Sequence, residues 1–78
     1  MHEVGIAKEI MRLALEKAGG KKIKSLTIEL GNDGHTTPKS LHDAFGLIAK
    51  GTAADGAKLS IRPTEALESR LVELEVEK

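Results

Sequence analysis

Residues 22–30, Lys22-Ile23-Lys24-Ser25-Leu26-Thr27-Ile28-Glu29-Leu30, decide the fold. Leu26, Ile28 and Leu30 fall on one side of an extended chain, and Ser25, Thr27 and Glu29 fall on the other. That alternation predicts a strand, spanning Lys22 to Leu30, with one face buried. Gly31-Asn32-Asp33-Gly34-His35 follows with strong turn chemistry. Thr37 suits a helix N-cap and Pro38 the first helical position. From there Leu41, Ala44, Phe45 and Ile48 recur at i, i+3, i+4 and i+7. This predicts a helix running to about Lys50, closed by Gly51. Ala57 to Arg62 reads as a second strand with Ala57, Leu59 and Ile61 on one face, ended by Pro63. Strand, helix and strand in that order form a right-handed crossover, so the two strands are predicted to be parallel.

Upstream, Glu3 to Ala18 reads as a helix. Ile6, Ile10, Leu13, Ala14 and Ala18 make an apolar stripe, while Lys8, Glu9, Arg12, Glu16 and Lys17 lie largely opposite. Gly19-Gly20 stops this helix. Downstream, residues 64–69 form a connection, and Leu71 to Glu77 reads as a third strand. Val72, Leu74 and Val76 are expected inside, with Glu73, Glu75 and Glu77 outside. The glutamate row resembles a cation site, but a one-sided sheet requires the same alternation, so it reads as a solvated face. The third strand returns antiparallel after its short connection. The order α-β-α-β-β predicts an α+β fold, a two-layer α/β sandwich with two helices packed on a three-stranded mixed sheet. This order does not say which strand is central.

The 78 residues suit one domain, which on folding buries about 60% of the surface its unfolded chain exposes. Phe45 is the only aromatic residue, so the core must be Leu, Ile, Val and Ala. Twelve basic residues balance twelve acidic ones. That balance argues against a nucleic acid or an anionic membrane as partner. Lys21, Lys22 and Lys24 form a small basic cluster that a solvated strand start explains. There is no cysteine, which excludes disulfides, thiol catalysis and thiolate metal sites. No run approaches about 18 apolar residues and the start has no apolar leader, so the expectation is a cytoplasmic protein with no membrane span.

Catalytic motifs are missing. There is no phosphate-binding glycine loop, no dinucleotide fingerprint and no HExxH zinc motif. Nothing supports an enzyme. His42 reads as a surface residue. His35 shares its loop with Asp33, although a loop histidine is ordinarily just solvated. The remaining chemistry lies at the start, in Met1-His2-Glu3. A free α-amino group, the His2 amide nitrogen and the His2 imidazole lie along one short piece of backbone. Together they can wrap a square-planar ion, with Glu3 next in line. Copper(II) and nickel(II) accept that geometry. The helix dipole disfavours a protonated amine there, which leaves the amine's lone pair more available. A frayed terminus that does nothing is the competing reading.

Read together, these segments resemble the HypA/HybF family, nickel-handling accessory proteins of [NiFe]-hydrogenase maturation. The resemblance rests on Met1-His2-Glu3 heading an amphipathic helix and on a strand ending in Leu30-Gly31. It continues through Pro38-Lys39-Ser40-Leu41, Ala44-Phe45, Ala49-Lys50-Gly51-Thr52, Gly56-Ala57-Lys58-Leu59-Ser60-Ile61 and Leu74-Glu75-Val76-Glu77. It implies a nickel(II) metallochaperone that binds its ion through Met1, His2 and Glu3. It also implies two partners, a HypB-type GTPase and the hydrogenase large subunit. The family carries a zinc domain with two CxxC motifs between its last two strands. Here Pro63 passes to Arg70 through residues 64–69, so residues 1–78 are expected to form a single nickel-binding domain without zinc. The family has Glu after the glycine matching Gly31; here Asn32 stands there, with Asp33 and His35 beyond as candidate further ligands. The alternative function is a protein-interaction or scaffold module that has lost metal delivery.

Overall fold

β1 (Ile23–Leu30) lies at the centre of a three-stranded sheet of order β2-β1-β3. The computed structural model describes residues 2–78, with side chains described from Val4 onward. The remaining elements are α1 (His2–Ala18), α2 (Pro38–Ala49), β2 (Lys58–Pro63) and β3 (Arg70–Val76). β1 pairs in parallel with β2 and antiparallel with β3, as the crossover and the return predict. The central position, which the order of elements left open, belongs to the most apolar strand. Leu26 and Ile28 are 1% and 0% exposed. α1 packs against α2 and β3, and α2 packs against α1 and β2, so both helices cover one face.

α2 forms where its caps place it. The Thr37 hydroxyl accepts from the Ser40 amide at 3.1 Å, and the Thr37 amide donates to the Ser40 hydroxyl at 3.0 Å. Two otherwise orphaned amides are thereby satisfied, a capping box with serine at its third position. Leu41, Phe45 and Ala49 are buried on the predicted face. On α1 the buried stripe is rotated from the expected one. Ala7, Ile10, Met11, Ala14 and Ala18 are buried, whereas Leu13 is only half-buried and stands outside the core cluster. Ala7 and Ala14 are 0% exposed, and their small side chains let α1 lie close to its neighbours.

Two bulges reset the alternation. Ile23 pairs with Val76 and Ser25 with Glu75, so Lys24 is an extra residue in β1. Strict alternation from Leu26 would turn residue 24 inward. The bulge instead buries Ile23 and leaves Lys24 exposed. On β3 the offset is reversed: Thr27 pairs with Glu73 and Ile28 with Leu71, leaving Val72 unpaired. Val72, expected inside, is therefore 42% exposed, and Leu71 packs against the core in its place. Leu74 and Val76 keep their predicted side.

The connection between β2 and β3 is stitched to the end of β1. Thr64 donates its amide to the Leu30 carbonyl at 2.9 Å, and Asn32 donates to the Ala66 carbonyl at 2.8 Å. The Gly31 amide donates to the Ser69 hydroxyl at 2.7 Å. A β-carbon on Gly31 would stand 2.6 Å from the backbone of Leu67 and Glu68. Gly31→Ala must push this connection outward, and is expected to destabilise the fold by about 1–3 kcal/mol in urea denaturation. Gly46→Ala meets nothing within 4 Å, and is expected to stabilise it by up to about 1 kcal/mol.

On the exposed face of α1, Arg12 bonds Glu9 at 2.6 Å and Glu16 at 3.3 Å. The hydrogen bond from Arg12, and then its charge, hold the Glu9 carboxyl below its ordinary value of 4.5. Because the folded value is the lower one, this contribution is present above the unfolded pKa and fades as pH falls through the folded one. Carboxyl titration by NMR is expected to place the Glu9 midpoint below 4.5 in the native chain and to return it to the ordinary range in Arg12→Ala.

Candidate metal site

The chain's turns bring the start of α1 back to the outgoing end of β1. Gly19 and Gly20, at φ of 59° and 87°, reverse the chain after α1. The amide of Lys21 closes the turn on the Ala18 carbonyl at 3.1 Å. The 17 residues of α1 rise about 25 Å. The 8 residues of β1 span about 26 Å, so the two elements match in length. The first turn of α1 therefore sits at the end of the sheet where β1 leaves into residues 31–37. Met1 lies outside the described residues, as do the side chains of His2 and Glu3.

The loop that shares this end is organised by Asp33. One carboxylate oxygen accepts the amides of His35 and Thr36 at 2.8 and 2.7 Å. The other accepts the Thr36 hydroxyl at 2.7 Å. These bonds fold residues 33–36 into a tight turn, with Gly34 at a φ of 79° that favours glycine. Asp33, a candidate further ligand in the sequence, thus has a structural task already. His35 is exposed on the same turn. Among the described residues, no group of three or more His, Asp or Glu side chains is arranged to hold a metal ion. His42 is exposed on α2, well along the chain from this loop. Glu73 and Glu75 line the open sheet face, where Glu75 accepts a hydrogen bond from the Ser25 hydroxyl at 3.3 Å. That is the solvated row expected of them.

Sequence reasoning missed the Thr36 hydroxyl, whose spacing of three from Asp33 was a legible signal. It also missed Ser69, which caps Gly31 from 38 residues away and left no local signal.

The comparisons with known proteins agree with this architecture. A family model described as "Hydrogenase/urease nickel incorporation, metallochaperone, hypA" matches residues 1–69. The chain belongs to the HypA family. The hydrogenase maturation factor HypA of Nostoc sp. is 34% identical over 67 residues, covering 86% of this chain and 59% of that protein. HypA of Methanosarcina acetivorans is 36% identical over 64 residues, covering 78% and 48% respectively. The solution structure of the Ni metallochaperone HypA from Helicobacter pylori superposes with a TM-score of 0.80 at 16% identity. It covers 95% of this chain and 96% of that one, which establishes the shared fold. The chain spans about half the length of the curated relatives it matches, 59% of the Nostoc protein and 48% of the Methanosarcina one. Among the described residues, no helix is long and apolar enough to cross a membrane.

If Asp33 organises the loop, Asp33→Ala is expected to speed hydrogen exchange of the His35 and Thr36 amides by about tenfold or more, since each loses a bond to a charged group. Exchange within β1 should not change.

Proposed function

We propose that this chain is a nickel-carrying domain that receives and releases nickel(II) for assembly of a nickel enzyme. The family match across residues 1–69, which takes in Met1-His2-Glu3, carries the reading. That description covers urease as well as hydrogenase, so the recipient is wider than the hydrogenase the sequence resemblance implies. In this reading the Met1 amine, the His2 amide nitrogen and the His2 imidazole hold the ion in a plane, and Glu3 supports them. The described residues offer no competing cluster, so the first three residues supply the donors in this proposal. His35, at the same end of the sheet, is the candidate to complete the coordination.

The ion is cargo. A site at a helix start open to solvent favours exchange over permanent retention. Binding requires a deprotonated amide and a neutral imidazole, so affinity falls as pH drops through the ordinary imidazole value of about 6.5. A HypB-type GTPase and a hydrogenase large subunit are the partners implied by resemblance. Nothing in the chain's own motifs hydrolyses a nucleotide, which suits a division of labour with such a GTPase. We further propose that residues 1–78 act as a single nickel domain in cytoplasm, with the family's zinc module missing between Pro63 and Arg70. The absence of cysteine supports this, as does the way residues 64–69 close the gap with their own hydrogen bonds.

Nickel(II) titrated into protein with a free Met1 amine is expected to develop the d–d absorption of a square-planar complex. His2→Ala is expected to abolish that band, and acetylation of the amine to do the same. His35→Ala tests the additional ligand by weakening affinity. A band that survives His2→Ala would overturn the N-terminal site. A chain that binds no nickel with its amine free would favour the scaffold reading.

A further inference from the structure

β2 is an edge strand whose outer side pairs with nothing in the sheet. Among the described residues, no backbone hydrogen bond from a loop covers that side either. Its two faces differ sharply. Toward the helices, Leu59 and Ala57 border a groove of about 180 Å³ whose far wall is His42, Phe45, Gly46 and Ala49 of α2. The groove exists because small residues line it. Gly46 has nothing within 4 Å of where a β-carbon would stand. Toward the open face, β2 presents Lys58, Ser60 and Arg62, all exposed.

These faces specify a strand. A chain paired along β2 would turn every second side chain into the groove and the others beside Lys58 and Arg62. The groove takes aliphatic side chains and the basic face takes carboxylates. A second β2 is excluded, because its own Lys58 and Arg62 would face like charges. We propose that the free edge of β2 docks an extended segment of a partner protein in which aliphatic and acidic residues alternate, adding a fourth strand to the sheet.

Lys58 pairs with Ser25 at the incoming end of β1. The groove therefore lies at the opposite end of the sheet from the start of α1 and the Asp33 loop. A strand paired along the whole of β2 also passes Arg62, which pairs with Glu29 beside the outgoing end of β1. The inference does not depend on the nickel reading, since it rests on the edge, the groove and the charges alone.

The test is titration of isotope-labelled protein with a synthetic peptide of alternating valine and glutamate, followed by amide NMR. Shifts are expected in residues 42–62. Gly46→Leu fills the groove on an exposed helix position and is expected to abolish binding while the fold is retained. The double variant Lys58→Glu, Arg62→Glu is expected to weaken binding about tenfold or more. Raising salt from about 0.1 M to about 1 M is expected to weaken it as screening shortens. Equal binding by a valine–lysine peptide, unchanged binding by Gly46→Leu, or shifts confined to β3 would each overturn the proposal. Sedimentation supplies the remaining arm. Self-association lost in the charge-reversed variant would identify a second copy, through its Glu73–Glu77 edge, as the occupant and overturn the partner segment.

Discussion

Burial of β1 is the constraint on which this structure depends. It is the one strand paired on both edges, and its inner face lies under both helices. Ile23, Leu26, Ile28 and Leu30 are all nearly inaccessible to water. Each such side chain contributes about 1.5–3 kcal/mol relative to exposure, a large share of what a domain this small can gather. With a single aromatic residue in the chain, aliphatic packing around this strand carries the core. The flanking strands are half-buried by comparison. They serve to satisfy β1's backbone groups while keeping their outer faces polar.

The same strand arranges the two ends of the molecule. At its outgoing end, Leu30 and Gly31 are gripped by the β2–β3 connection, and the Asp33 turn begins directly beyond. At its incoming end, the bulge at Lys24 turns Ile23 inward beside the segment that leads into β2, where the Ile23 amide donates to the Ala53 carbonyl at 2.8 Å. A connection that in the family resemblance gives way to a second domain is here a short strap. Gly31 is the residue that lets it lie so close. The groove lies toward the incoming end of β1, while the β2 edge itself runs alongside β1 from Ser25 to Leu30.

Much of the architecture was readable from periodicity and punctuation. The alternation of Leu26, Ile28 and Leu30, the Thr37-Pro38 start of α2 and the glycine stops at residues 19–20 and 51 placed all five elements within a residue or two. The parallel and antiparallel pairings followed from connection lengths. What escaped was face assignment near irregularities. Val72 and Leu71 are both good strand residues, and only the register against Thr27 and Ile28 shows that the chain bulges between them. Leu13 and Met11 are both apolar on α1, and the close approach of α1 through Ala7 and Ala14 selected Met11.

The sequence by itself determined the elements and the fold class, because each follows from the pattern and order of residues along the chain; the Met1-His2-Glu3 donor set is proposed from the same source. Only the tertiary structure decided that β1 is central, that Ser69 caps Gly31, and that a groove opens between Gly46 and Leu59. Those features join segments far apart in sequence. Their physical causes are sheet register and the distance at which two elements pack, and neither is written in any local pattern of residues.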